Sequence, residues 1–361
     1  MKIVINGKFL GHRPTAVHTV AREIILAMDQ LLAASTAPSE VIVAIPRGTV
    51  VEDLPLSRIS LREIGKGNGL WWEQVELPRA LDGAVVLSLC NLGPALPRRA
   101  VTMIHDLQVY TAPGSSSRAF QLRYKTLFHF IGRRHAKILT VSQFSRDEIV
   151  THKVAAADRI EVVYNGVDHI SRAAPDVSVI ENNGIVPGRY VLALANAKPH
   201  KNIPLLFEAM KDPRLAGVQL VLFGASTSEQ FQAQGHTPPP STIFVGRVEE
   251  AQVRALMEQA LCVAMPSTTE GFGLPPFEAM HLGTPAIVSS AGALMEIAGD
   301  AALLADPSDA AAWADNIAAL AGSVSLRDDV GARGRDRMAS FTWKNAARQT
   351  LDACRAAFSM A

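Results

Sequence analysis

The sequence predicts an α/β protein built from two doubly wound parallel sheets. Three observations carry that expectation. Short apolar runs recur along the whole chain, helix-patterned segments alternate with them, and one polar stretch splits the series in two. Continuous apolar runs mark strands covered on both faces, as in parallel sheets. Alternation of strand and helix implies parallel layers. At 361 residues the chain is too long for one ordinary domain and suits two.

The first series of strand-like runs is KIVIN (2–6), VIVAI (41–45), AVVLSL (84–89), VTMIHD (101–106), ILTVS (138–142) and IEVVYN (160–165). The second is YVLALAN (190–196), VQLVLFG (218–224), TIFVG (242–246), CVAMPS (262–267), PAIVSS (285–290) and AALLAD (301–306). Helical spacing appears at 17–32, through Val17, Val20, Ile24 and Met28, and at 249–260, through Val253, Leu256 and Met257. The stretch 171–188 is polar and holds Pro, Gly and Asn, so it reads as a linker. The expected division is 1–180, 181–342, and a terminal amphipathic helix at 343–361 with no strand after it.

Composition excludes several classes. With 48% hydrophobic and 19% charged residues, a large core forms and disorder is excluded. A formal net charge of +1 offers no global field to nucleic acid, so no nucleic-acid partner is expected. Cys90, Cys262 and Cys354 are far apart and lack metal-ligand spacing, which fits a reduced compartment without structural zinc. No run approaches the roughly 18 apolar residues of a membrane span. The opening MKIVING is too short for a signal peptide. The expectation is a soluble cytoplasmic chain, or one resting peripherally on the inner face of the cytoplasmic membrane.

In open α/β sheets, ligands bind beyond the carboxyl ends of the strands. The stretch PSTTEGFGLPPFEAMHLGTP (266–285) follows such a strand. Glu270 lies in a loop with Gly271 and Gly273, and Pro275 and Pro276 open a helix that carries Glu278. Glycines permit close backbone approach, and the helix start favours a phosphate. The two carboxylates suit sugar hydroxyls. The bland alternative is an acidic loop and a dipole-stabilising Glu. In ANAKPHKNI (195–203), Lys201 stands beside a helix start, where a cation is out of place without an anion. A solvated lysine is the alternative. His105-Asp106 ends the strand VTMI; the pair is either structural or an imidazole oriented by its neighbour. The loop after the first strand, NGKFLGHRPTAVHTVAREI, holds Gly11, Arg13 and Thr15.

Glu270 and Glu278, seven residues apart within EGFGLPPFEAM, resemble the E-x7-E signature of the retaining glycosyltransferases of family four. The resemblance spans essentially the whole chain, and its wording is similar to bacterial mannosyltransferases of polysaccharide assembly. It implies a GT-B fold, in which two Rossmann-like domains face a cleft and the last helix crosses back to the first domain. It implies that Glu270 touches the transferred sugar and Glu278 the nucleotide ribose. The backbone of Gly271, Phe272, Gly273 and Leu274 would meet sugar and pyrophosphate, and Lys201 would neutralise the diphosphate. Asn196 stands where many relatives carry arginine; Lys198, His200 and Arg247 are candidates for the second positive charge. Arg247 falls in the loop that lines the nucleobase. His105 corresponds to a histidine that faces the transferred sugar. Thr15-Ala16-Val17 replaces the usual Thr-Gly-Val, and Gly11, Arg13 and Thr15 become acceptor-side candidates. Trp71-Trp72-Glu73, Val141 to Ser145 and Tyr164 to Asp168 also match stretches common in the family; on their own they read as a packing cluster, a helix cap and a turn.

The expected partners are a nucleotide-sugar donor and a glycan or lipid-linked acceptor, with hexose transfer and mannose favoured. No acidic cluster demands a metal, so none is expected as cofactor. Two alternatives stay open: another GT-B enzyme such as a nucleotide-sugar epimerase, and a non-catalytic nucleotide-sugar-binding subunit. Residues 115–137 form a basic amphipathic helix without Asp or Glu, carrying Arg118, Arg123, Lys125, Arg133, Arg134 and Lys137. That pattern suits an anionic lipid surface. An ordinary packed helix with a solvated face is the alternative.

Overall fold

Strand pairing follows from the apolar runs. The computed structural model describes residues 1–12, 15–35, 39–51 and 54–360. Among these, the first sheet holds β1 (Lys2–Asn6), β2 (Glu40–Pro46), β3 (Ser60–Ile64), β4 (Val85–Ser88), β5 (Ala100–Met103), β6 (Lys137–Thr140) and β7 (Ile160–Val162). They run parallel in the order β3-β2-β1-β4-β5-β6-β7. The second sheet holds β8 (Tyr190–Ala195), β9 (Gln219–Gly224), β10 (Thr242–Gly246), β11 (Cys262–Met265), β12 (Ala286–Ser289) and β13 (Leu303–Ala305). Its parallel order is β10-β9-β8-β11-β12-β13.

Successive residues of β8 alternate between two cores. Val191, Ala193 and Ala195 pack with Leu206, Phe207 and Trp313. Tyr190 and Leu192 pack with Val221, Leu256 and Val263. Both faces of the sheet are covered, which is why the sequence runs apolar without alternation. β3 escaped the sequence pattern because it is an edge strand, paired to β2 alone, with four of its five residues exposed.

The chain divides into Met1–Gly166 with Phe341–Ala361, and Val167–Ser340. The boundary therefore lies before the stretch 171–188 and not at 180. That stretch belongs to the second unit, because Val179, Ile180 and Ile185 anchor it in the Tyr190 core. Three apolar anchors were hidden among polar, exposed neighbours. In the first unit, α1 (Ala16–Ala33) packs against the terminal helix Trp343–Ser359. The helix Arg118–Arg134, here α2, buries Phe128 and Ile131. A Cβ on Gly166 would overlap the backbone of Trp343, so glycine at the centre of YNGVD is needed for packing.

Candidate active site

In each sheet the strand order reverses between two central neighbours, β1/β4 in the first and β8/β11 in the second. Such a reversal opens a crevice at the carboxyl ends, where open sheets bind ligands. In the second unit, β8 leads into a short 3-10 turn, Pro199–Lys201, and then α3 (Ile203–Ala209). β11 leads through the loop 266–273 into α4 (Leu274–Leu282).

Asn202 joins the two sides. Its backbone adopts the left-handed conformation (φ 54°), which Asn tolerates better than most residues. Its side-chain amide donates to the carbonyls of Pro266 at 3.1 Å and Pro307 at 2.7 Å. The Thr268 N–H donates to the His200 carbonyl at 2.8 Å. Lys201 and Glu270 are thereby brought together: Lys201 Nζ donates to Glu270 Oε1 at 2.6 Å, with their side chains 17% and 7% exposed. The sequence placed both at strand ends but did not pair them.

Gly273 caps α4 with φ 90°, and a Cβ there would come within 2.5 Å of Leu294 Cδ2. Glycine is thus required for both conformation and space. Phe272 is buried edge-on against Phe277, with ring centroids 5.5 Å apart, and Leu274 is buried. These anchors fix the backbone of Gly271 to Leu274 at the helix start. Pro275 and Pro276 occupy the first turn, where a missing N–H costs nothing.

Glu278 lies one turn into α4 and is buried, with Oε1 3.3 Å from His169 Nε2. Sequence reasoning missed His169; its only signal was its place directly after Asp168 in YNGVD. Asn196 accepts the Lys198 N–H at 3.1 Å and so shapes the turn that carries Lys201. Lys198 and Arg247 are exposed. Arg247 follows β10, an edge strand two places from β8. Burial, then the Lys201 charge, pull the His200 pKa down to about 4, so its ring is neutral at pH 7.

In the first unit, His105 follows β5 and is buried. Its Nε2–H donates to the Leu89 carbonyl at 2.8 Å, its backbone N–H to Asn91 Oδ1 at 2.7 Å, and its carbonyl accepts Ser145 Oγ–H at 3.0 Å. Burial pulls its pKa down to about 4. The ring is therefore neutral at pH 7, with Nδ1 carrying the lone pair. The Leu89 carbonyl orients it, while Asp106 Oδ1 accepts the Gln108 N–H at 3.1 Å. Gly11 and Thr15 lie exposed on the β1–α1 loop. Arg13 lies outside the described residues.

Residues 180–337 match the family model of group 1 glycosyl transferases, and residues 79–170 match that of glycosyltransferase family 4. The chain is 32% identical to O-antigen chain mannosyltransferase B of Escherichia coli, over 71% of this chain and 70% of that one. Two solved structures share the fold. Sucrose-phosphate synthase of Thermosynechococcus elongatus superposes with a TM-score of 0.75 at 19% identity, covering 100% of this chain and 99% of that one. HepE of Anabaena, in complex with UDP and glucose, superposes at 0.70 with 16% identity, covering 98% of each. Strand order, the Glu270–Glu278 spacing and the matched regions agree: this chain belongs to the family-four, group 1 glycosyltransferases and has the GT-B fold.

Proposed function

We propose that the protein transfers a hexose, with mannose first among candidates, from a nucleotide sugar to a glycan or lipid-linked acceptor in bacterial polysaccharide synthesis, with retention at the anomeric carbon. The observation that carries this reading is the Lys201–Glu270 pair, 2.6 Å apart at the switch point of the second sheet. A cation and an acceptor carboxylate beside a glycine-capped helix start suit a diphosphate bonded to a sugar. Lys201 and the amides of Gly271 to Leu274 hold the diphosphate and stabilise it as leaving group. Glu270 accepts hydrogen bonds from the sugar, and Glu278 from the ribose. Asn196 shapes the turn, and Arg247 contacts the base. Neutral His105 accepts a sugar hydroxyl through Nδ1. Gly11, Arg13 and Thr15 contact the acceptor. The acceptor attacks the same face that the diphosphate leaves, and a diphosphate oxygen takes its proton. Positive groups supplied by the chain make a metal unnecessary in this scheme.

The mannose assignment is supported by the E. coli relative, and the nucleotide-sugar donor by the UDP bound to HepE. We place the chain in the cytoplasm, where its three free cysteines stay reduced. A peripheral membrane contact is favoured by α2, where Leu122 and Phe130 are exposed among arginines. The test is incubation with GDP-mannose and other nucleotide sugars plus glycan acceptors, with the product's anomeric configuration read by NMR. A retained linkage that persists in EDTA supports the scheme. An inverted product, an epimer formed from donor alone, or loss of turnover on chelation that magnesium or manganese restores overturns the corresponding step.

A further inference from the structure

The turn that carries Lys201 is held from a second strand. β8 and β9 pair in register as far as Ala195 opposite Gly224. At Gly224 φ is 132°, and a Cβ there would come within 2.9 Å of the Ala195 carbonyl, so glycine lets the two strand ends run on side by side. Beyond the strands the pairing continues for one more residue. The Ser226 N–H donates to the Ala195 carbonyl at 3.3 Å. In a continued parallel ladder the Ser226 carbonyl would then accept the Ala197 N–H. That N–H does go to Ser226, but to the side-chain Oγ, at 3.0 Å. The main chain leaves the sheet here for the short helix Ser228–Gln232, whose start is capped reciprocally by Thr227 and Gln230. The hydroxyl thus stands in for the carbonyl of a longer strand.

From Ala197 the hydrogen bonds lead on to Lys201. Asn196 Oδ1 accepts the Lys198 N–H at 3.1 Å. The Lys198 carbonyl accepts the Lys201 N–H at 3.0 Å, and the Pro199 carbonyl accepts the Asn202 N–H at 3.1 Å. Pro199 has its φ fixed by its ring, which stiffens the turn between these bonds. The far end of the segment 196–202 is held by Asn202 against Pro266 and Pro307. The near end is held against the chain after β9 by the Ser226 hydroxyl. Lys201 is a point charge on a flexible stem, so the backbone from which it starts decides where the charge can be placed. Releasing the near end frees that starting point, and a shift of about 1 Å is costly where binding and catalysis depend on position.

We propose that Ser226 is a positioning residue for the donor diphosphate: its hydroxyl sets the turn 196–201 and acts on the anion through Lys201. This rests on the donor reading above, in which Lys201 meets the diphosphate. The test is a double-mutant cycle on the full chain, with GDP and UDP titrated by calorimetry and, for weak variants, by ligand-detected NMR. Ser226→Ala should lower the affinity of whichever diphosphate the parent protein binds better by about threefold to tenfold, the worth of one neutral hydrogen bond. Ser226→Thr keeps Oγ and should recover the affinity, whereas Ser226→Val has the same shape without the hydroxyl and should not. In the Lys201→Ala background, Ser226→Ala should change affinity by less than about twofold. A role in stability alone would lower Tm and leave the cycle additive. Unaltered affinity in the folded Ser226→Ala variant, equal losses in both Lys201 backgrounds, or no difference between the Thr and Val variants overturns the proposal. If Ser226→Ala fails to fold, the Thr and Val variants decide. Absence of diphosphate binding by the parent protein overturns the donor reading as well. Binding that Lys201→Ala weakens and Ser226→Ala leaves untouched overturns this proposal alone.

Discussion

Lys201 Nζ lies 2.6 Å from Glu270 Oε1, so the ammonium assigned to the donor diphosphate is held by the carboxylate assigned to the donor sugar. In the proposed scheme a diphosphate would compete with Glu270 for Lys201, while the sugar would supply hydroxyls that replace Lys201 at Glu270. The two substitutions should therefore diverge. Lys201→Ala removes a charge-assisted contact of about 1.5–3 kcal/mol, a tenfold to hundredfold loss of nucleoside diphosphate affinity. Glu270→Gln should leave that affinity equal or tighter and lower turnover. Calorimetry with the diphosphate, beside turnover with the full donor, separates them; parallel losses of diphosphate affinity would refute the split.

Glu278 and His169 meet at 3.3 Å on elements of the same unit, both nearly buried. Removing one partner leaves the other polar group buried, a cost of about 1–3 kcal/mol. Glu278→Ala should weaken nucleoside diphosphate binding through loss of the ribose contact, whereas Glu270→Gln should not. His169→Gln keeps a donor toward Glu278 and should preserve more affinity than His169→Ala. Equal affinities for these two His169 variants would show that the imidazole does not position Glu278.

Acid should destabilise the fold through buried histidines. His105, His135 and His200 are each pulled down to about 4, chiefly by burial. Unfolded, they return to about 6.5. Between those values the unfolded chain binds protons that the native chain does not, so stability rises with pH across that window and falls on acidification. His135 is wholly buried, with Nδ1 accepting Thr102 Oγ–H at 2.9 Å and Nε2–H donating to the Pro94 carbonyl at 3.0 Å. Its displacement corresponds to about 3 kcal/mol. His135→Gln should lower Tm at pH 7 yet flatten the fall of Tm between pH 7 and 4.5. A slope as steep as that of the parent protein would rule His135 out as a source.

The architecture was readable because burial on both faces of a parallel sheet leaves an unbroken apolar run, and twelve such runs became strands. The thirteenth, Ser60–Ile64, has no second neighbour and so no apolar signature. Candidate site residues were picked out by their place in the segments after a strand end, as Lys201, Glu270 and His105 were. Partners were not, because pairing across a switch point depends on strand order. Nothing local in the sequence ties Lys201 to Glu270, Asn202 to Pro307 or Ser226 to Ala197. The burial of His200 under the turn is likewise tertiary and has no local signal, and it lowers the pKa of the ring.

The helix α2 turns Phe128 and Ile131 into the first unit's core and leaves Leu122 and Phe130 70% and 59% exposed. Arg118, Arg123, Arg133 and Arg134 are exposed on the same helix. Large apolar side chains among arginines suit an anionic interface, where each basic residue contributes about 1 kcal/mol and salt screens the attraction. The chain should co-sediment with vesicles containing phosphatidylglycerol at low salt and detach as salt rises. Arg133→Glu with Arg134→Glu should release it while nucleoside diphosphate affinity stays unchanged. Arg134 also donates from Nε to the Leu96 carbonyl, so charge reversal there removes a structural contact as well. Leu122→Ser with Phe130→Ser avoids that ambiguity, because both side chains are exposed and their loss should change the unfolding free energy by no more than about 0.5 kcal/mol each. Release by both variants, each still folded, makes α2 the docking face. Binding that survives the Leu122 and Phe130 pair but yields to charge reversal reduces the contact to electrostatics alone. Failure of the parent protein to bind at low salt removes the membrane reading and leaves glycosyl transfer untouched.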